Sequence, residues 1–167
     1  AVELVPSVRA VFGYFHEDAE ALLRKPNCRV VIDDGRRFLR RTGETYDVIT
    51  IDPSPPVEAS GSSLLYSREF YGLVKTRLAD NGILQTWFPG GEKLTYQAVA
   101  RALADEFPHV RVYHSIENWG YHFSASMQPF EKPTVDQFLD RIPARARDDL
   151  VEWAVGKTPE QYVTDIL

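Results

Sequence analysis

The side chains best placed to do chemistry in this 167-residue sequence are four carboxylates: Glu3, the adjacent Asp33 and Asp34, and Asp52. Each sits in or just after a short apolar run: Ala1 to Leu4 around Glu3, Cys28 to Ile32 before Asp33, and Tyr46 to Ile51 before Asp52. An ionised carboxylate only accepts hydrogen bonds, so it can take both hydroxyls of a ribose at once, or the hydrogens of an amino group. One facing an amine can orient it and take the proton that the amine must lose to become a nucleophile. Alone, each acid has a structural use, since Asp and Glu favour helix caps and turns. Acids at the matching ends of successive strands are harder to assign to capping together.

These acids cooperate only if the chain sets their segments side by side. Strand-like and helix-like patterns alternate along it. The stretch Val8 to Phe15 reads as a helix, with Pro6 in its first turn. The β-branched run Cys28–Ile32 predicts a strand buried on both faces, with Cys28 a buried structural thiol. A short helix, RRFLRR, follows Asp33-Asp34-Gly35, and YDVITID (Tyr46 to Asp52) is the next strand. Ser67 is the N-cap of a helix whose apolar face is Phe70, Leu73, Val74 and Leu78, with Asn81-Gly82 as its stop. GILQTWF (Gly82 to Phe88) is a strand, and Tyr96, Val99, Ala100, Leu103 and Phe107 mark an amphipathic helix facing the core. VRVYHS and GYHFSAS lie close enough in sequence to force an antiparallel pair. Thr134 with Gln137 and Thr158 with Gln161 fit capping boxes, predicting two or three terminal helices. Alternating strands and helices imply a parallel α/β sheet with helices on both faces and a ligand site beyond the carboxyl ends of the strands.

Composition narrows the function classes. The 44% hydrophobic content is that of a folded domain, and no apolar run approaches the roughly 20 residues of a membrane-spanning helix. No signal peptide is evident at the N-terminus, so a soluble, cytoplasmic segment without membrane contact is expected, whatever a longer parent chain carries. A net charge of −5 argues against a nucleic-acid surface and suits a cationic substrate. With one cysteine and four dispersed histidines, no metal site is expected. His114 and His122 are possible neighbours in structural or solvent roles, and Trp87, Trp119 and Tyr121 are assigned to core or interface ahead of a slot for methylene groups.

The succession of VEL, IDDGRRFL, YDVITIDPSPP, LLYSREFY and GILQTWF resembles the spermidine synthase (polyamine aminopropyltransferase) family, especially the spermidine-synthase-like domains often fused to membrane segments. The likeness covers roughly the first 125 residues. It implies a Rossmann-like α/β fold of the S-adenosylmethionine-dependent methyltransferase type, with a mostly parallel sheet and a terminal antiparallel hairpin. Residues 1–130 would form this domain, and 131–167 a helical tail packed on it. The implied donor is decarboxylated S-adenosylmethionine, used as a substrate with no prosthetic group. The implied acceptor is an amine of the polyamine kind, and the implied assembly a homodimer. Glu3 matches the ribose-binding acid, Asp34 with Asp33 beside it the adenine-contacting acid, and Asp52 the catalytic aspartate that handles the attacking amine. Tyr66 and Gln85 fall beside the amine, Gln85 where the family carries a glutamine.

The chain departs from the family in three ways. The opening strand, central in the family's sheet, and its glycine-rich loop are lacking. Pro55 replaces a second substrate-holding aspartate, for which Glu58 is the candidate substitute, and Val5 replaces a further acid near the ribose-binding glutamate. Two other readings therefore stand beside aminopropyl transfer: a methyltransferase-like enzyme using S-adenosylmethionine itself, and a non-catalytic binding or assembly module that keeps the fold.

Overall fold

The segment carrying Glu3 forms β1 (Val2–Glu3), and Pro6 opens α1 (Pro6–Phe15) one turn later. This computed structural model describes residues 1–53, 57, 59, 61–115, 119–152, 154 and 156–167. After α2 (Ala19–Leu23) comes β2 (Val31–Ile32), parallel to β1 with Val2 opposite Val31 and Glu3 opposite Ile32. The Asp33 N–H donates to the Glu3 carbonyl at 3.0 Å, which fixes the two acid-bearing strand ends side by side. The strand expected over Cys28–Ile32 is confined to its last two residues, and Ile32 and Cys28 are exposed rather than buried. Among the described residues β2 pairs only with β1, so its apolar run lacks the two-sided cover that its composition suggested. Asp34 then caps α3 (Gly35–Arg41) by accepting from the Arg37 N–H at 2.9 Å.

β3 (Tyr46–Ile51) leads through a 3₁₀ turn (Ser63–Tyr66) to α4 (Arg68–Lys75), where Ser67 accepts from the Phe70 N–H as its sequence position predicts. The next strand, β4 (Leu78–Phe88), is longer than expected. Leu78 and Asn81-Gly82 are strand residues, not the end and stop of a helix. Between Leu78 opposite Tyr46 and Ile83 opposite Val48, β4 carries extra residues and bulges. Gly82 sits at the tightest point, where a Cβ would meet the Tyr46 carbonyl at 2.9 Å. Its glycine therefore serves close backbone approach rather than helix termination.

α5 (Lys93–Glu106) bridges to β5 (His109–His114), which pairs antiparallel with β6 (Tyr121–Ser126). β6 inserts beside β4, giving the order β3-β4-β6-β5. One face of this sheet, through Leu84, Phe88, Phe123 and Ala125, packs on Phe70, Tyr71 and Val74 of α4 and Val99 and Leu103 of α5, as the helical spacing predicted. Glu106 joins the two helices by accepting from Arg68 (2.9 Å) and Lys75 (2.6 Å), and the Lys75 and Arg68 bonds hold its carboxyl below the usual range. Pairs β1–β2 and β3–β4 are parallel, and β4–β6 and β5–β6 antiparallel, in two separate sheets. Among the described residues β1 pairs only with β2 and β3 only with β4, and Val48 on β3 is 58% exposed.

Residues Gln128–Leu167 form a second compact unit of α6 (Val135–Arg141), α7 (Ala144–Asp149) and α8 (Pro159–Ile166). Both expected capping boxes are present, Thr134 with Gln137 and Thr158 with Gln161. Leu139 and Val163 are its buried residues of α6 and α8. No helix among the described residues is long and apolar enough to cross a membrane.

Candidate functional site

All four carboxylates singled out in the sequence line one cavity of about 560 Å³. Parallel pairing places Glu3 and Asp33 at neighbouring carboxyl ends of β1 and β2, and Asp52 follows the last residue of β3. The cavity floor is apolar, with Val48, Ile49, Phe38 and Leu65 among its lining residues. Glu3 Oε1 accepts from the Val5 N–H at 2.8 Å, which folds the carboxylate back over its own turn. Asp33 accepts from the Arg37 guanidinium and from the Asp34 N–H, and the Arg37 bond holds it below the usual aspartate range. Asp34 lies low as well, chiefly through the Arg37 N–H that it caps and then through Arg36, 3.4 Å from its other oxygen. Capping and cavity lining thus coincide at Asp34: one oxygen caps the start of α3, and the residue still lines the cavity.

Asp52 also lines a second cavity of about 270 Å³ with Thr50, Gln85, Trp87, Ser115, Trp119 and His122. Strand alternation explains the group. Thr50 lies opposite Gln85, and Trp87 opposite His122, on the sheet face turned away from the Leu84–Phe123 core. The Trp87 indole N–H donates to the Trp119 carbonyl at 3.0 Å and ties the β5–β6 connection to the β4 wall. At Gly120 a Cβ would fall 2.0 Å from the Phe88 carbonyl, and its φ of 99° suits glycine, so this approach admits no side chain. Of the core-or-interface assignment of Trp87 and Trp119, the core part is corrected: both line this cavity, and Trp119 is 69% exposed. Tyr121 does join the core side, its ring 4.7 Å from that of Tyr96.

His114 and His122 point to opposite faces of the hairpin, because His114 lies opposite Tyr121 and His122 opposite Tyr113. His122 is the site residue that sequence reasoning missed. Its signal was the strand alternation that sets it beside Trp87, legible only once the register is known. Gln85 lines this cavity with Asp52 and contacts His122. Tyr66 is not among the residues lining either cavity. It is buried, its hydroxyl donates to the Trp87 carbonyl at 2.9 Å, and burial, with the Asp52 charge adding, pushes it up to about 12. It thus supports the β4 backbone from the core while lying within reach of the Asp52 charge. Glu58 lies outside the described residues.

Strand ends that gather acids around one cavity, with an antiparallel closing hairpin, define a Rossmann-like α/β fold of the S-adenosylmethionine-dependent methyltransferase type. Solved structures of this fold agree. Spermidine synthase from Thermotoga maritima matches 99% of the chain and 55% of its own length with a TM-score of 0.65 at 18% identity. A spermidine synthase bound to the transition-state analogue AdoDATO matches 99% and 56%, with a TM-score of 0.67 at 19% identity. The spermine/spermidine synthase domain model matches residues 3–115, and the chain belongs to that family. Among curated relatives, polyamine aminopropyltransferase 2 of Pseudomonas aeruginosa is 29% identical over 71% of the chain and 36% of its own length. The polyamine aminopropyltransferase of Korarchaeum cryptofilum is 27% identical over 90% of the chain and 50% of its own length. The chain therefore spans half or less of the length of these relatives.

Proposed function

We propose that this chain forms the donor- and amine-facing part of an aminopropyltransferase, which moves an aminopropyl group from decarboxylated S-adenosylmethionine to an amine. The carrying observation is that Glu3, Asp33, Asp34 and Asp52 line one cavity of about 560 Å³, within the ~300–1,000 Å³ usual for small-molecule sites. Glu3 is set to accept ribose hydroxyls, and the Asp33–Asp34 corner to accept the adenine amino group. Asp52, shared with the second cavity, stands where the two reactants meet. The charge balance favours the decarboxylated donor. Of the four carboxylates lining it, Asp33 pairs with Arg37 and Asp34 with Arg36, and Glu3 and Asp52 add two further negative charges, so a carboxylate on the donor would meet like charge.

Transfer needs an amine that has lost its proton, held in line with the carbon beside the sulfonium. The nitrogen lone pair forms the new N–C bond while the C–S bond breaks, its electron pair passing to sulfur to give a neutral thioether. Asp52 orients the amine, and much of the acceleration comes from alignment of two bound reactants. Asp52→Asn is expected to lower kcat by ~10²-fold or more while leaving donor affinity within about threefold. Turnover by Asp52→Asn at the original rate would contradict the assignment.

A further inference from the structure

Asp52 and Thr50 line both cavities, and the chemistry proposed for the site gives Thr50 no part. Its place follows from the alternation of β3. Ile49 and Ile51 turn to the core, while Val48 and Thr50 are exposed. Asp52 follows two residues on, about 7 Å further along the chain at the usual strand rise. A threonine on an open strand face needs no function, because β-branched residues suit strands. Its membership of both cavities sets Thr50 apart. Among the described residues lining the smaller cavity, those other than Thr50 and Asp52 belong to it alone.

A neutral primary amine has two N–H donors and one lone pair. A single acceptor lets it swivel about that hydrogen bond, whereas two acceptors fix where the lone pair points. Asp52 supplies one acceptor, and a threonine hydroxyl oxygen has lone pairs for the other. The hydroxyl has a further merit in carrying no charge. A second carboxylate at this point would favour the ammonium form, which has no lone pair to attack with, and a hydroxyl does not. Gln85, opposite Thr50 on β4, is occupied with His122, its side-chain nitrogen 2.8 Å from Nδ1. Thr50 is thus the neutral acceptor that stands with Asp52 where the two cavities join.

We propose that Thr50 is a specificity-determining residue at this junction. Its hydroxyl accepts the second N–H of the attacking amine, and its small side chain leaves room for a three-carbon chain to pass. This rests on the reading that donor and amine occupy the larger and the smaller cavity. The hydroxyl exchanges no proton, and the bonds that form and break at nitrogen, carbon and sulfur are unchanged.

The test compares three variants with the unsubstituted protein. Thr50→Val keeps the branched shape and removes the hydroxyl, Thr50→Ser keeps the hydroxyl, and Thr50→Leu adds bulk. For Thr50→Val, kcat/KM for 1,4-diaminobutane should fall ~3- to 10-fold with affinity for decarboxylated S-adenosylmethionine unchanged, and Thr50→Ser should stay within about twofold. Thr50→Leu should lower kcat ~10- to 100-fold although calorimetry shows each ligand still binding alone. A merely structural role would move the urea midpoint, which substitution of the exposed Thr50 should leave in place. Unaltered kinetics in Thr50→Val or Thr50→Leu would overturn the proposal while leaving the Asp52 reading intact. Failure of the unsubstituted protein to bind the donor would overturn both. Independently of turnover, the Thr50 methyl resonance should shift on adding the donor and shift again on adding 1,4-diaminobutane. A response to one ligand only, or to neither, would overturn the proposal.

Discussion

At the scale of single residues, Asp34 shows how one side chain serves fold and site together. Its carboxylate caps the start of α3 and the residue lines the larger cavity, so Asp34→Ala should cost about 1 kcal/mol of stability and, on the proposed function, weaken donor binding. Asp33 and Asp34 both lie below their ordinary value of 3.8, chiefly through the Arg37 guanidinium and the Arg37 N–H respectively. A depressed folded value means that the stabilisation is complete above about 4 and fades as pH falls through the folded values. Asparagine caps as well as aspartate but does not titrate, so Asp34→Asn should unfold with a shallower acid dependence between pH 5 and 2. Equal slopes for the two proteins would show that Asp34 is not the acid-sensitive cap. Tyr66 makes a different prediction: Tyr66→Phe leaves the Trp87 carbonyl without its buried donor and should lower the urea midpoint by the equivalent of ~1–2 kcal/mol.

At the scale of elements, local signals read in the sequence held where they rest on local chemistry. Pro6 at the head of α1, Ser67 as the cap of α4 and both capping boxes are in place because each depends on neighbours within one helical turn. Reading failed where the outcome depends on a partner strand. The apolar run before Asp33 reads as doubly buried, yet among the described residues β2 pairs only with β1, and Cys28 is exposed. Asn81-Gly82 looked like a helix stop, yet Gly82 is the point where β4 bulges against Tyr46. Gly82→Ala places a methyl group 2.9 Å from a backbone oxygen and should destabilise the unit by ~1–3 kcal/mol in chemical denaturation. A change below about 0.5 kcal/mol would show that the bulge relaxes freely.

At the scale of the whole molecule, the meeting of the acids was legible because the strand-end rule for α/β sheets depends only on chain direction and alternation. Glu3, Asp33, Asp34 and Asp52 stand within or just after apolar runs in the sequence, and they line one cavity. The Gln85–His122 pair was hidden because it crosses from β4 to β6 on the diagonal, a relation set by register. The division into two sheets among the described residues, with β3 paired there only to β4 and Val48 exposed, is likewise a property of assembly that no single segment announces. On the proposed function, the acid-lined cavity holds an adenosyl sulfonium that has no carboxylate. Calorimetric titration of the protein with decarboxylated and with carboxylated S-adenosylmethionine tests it most directly. The decarboxylated donor should bind at least about tenfold tighter, a difference of ~1.4 kcal/mol, and Glu3→Gln should weaken it. Tighter binding of the carboxylated donor, or binding of neither, would contradict the account.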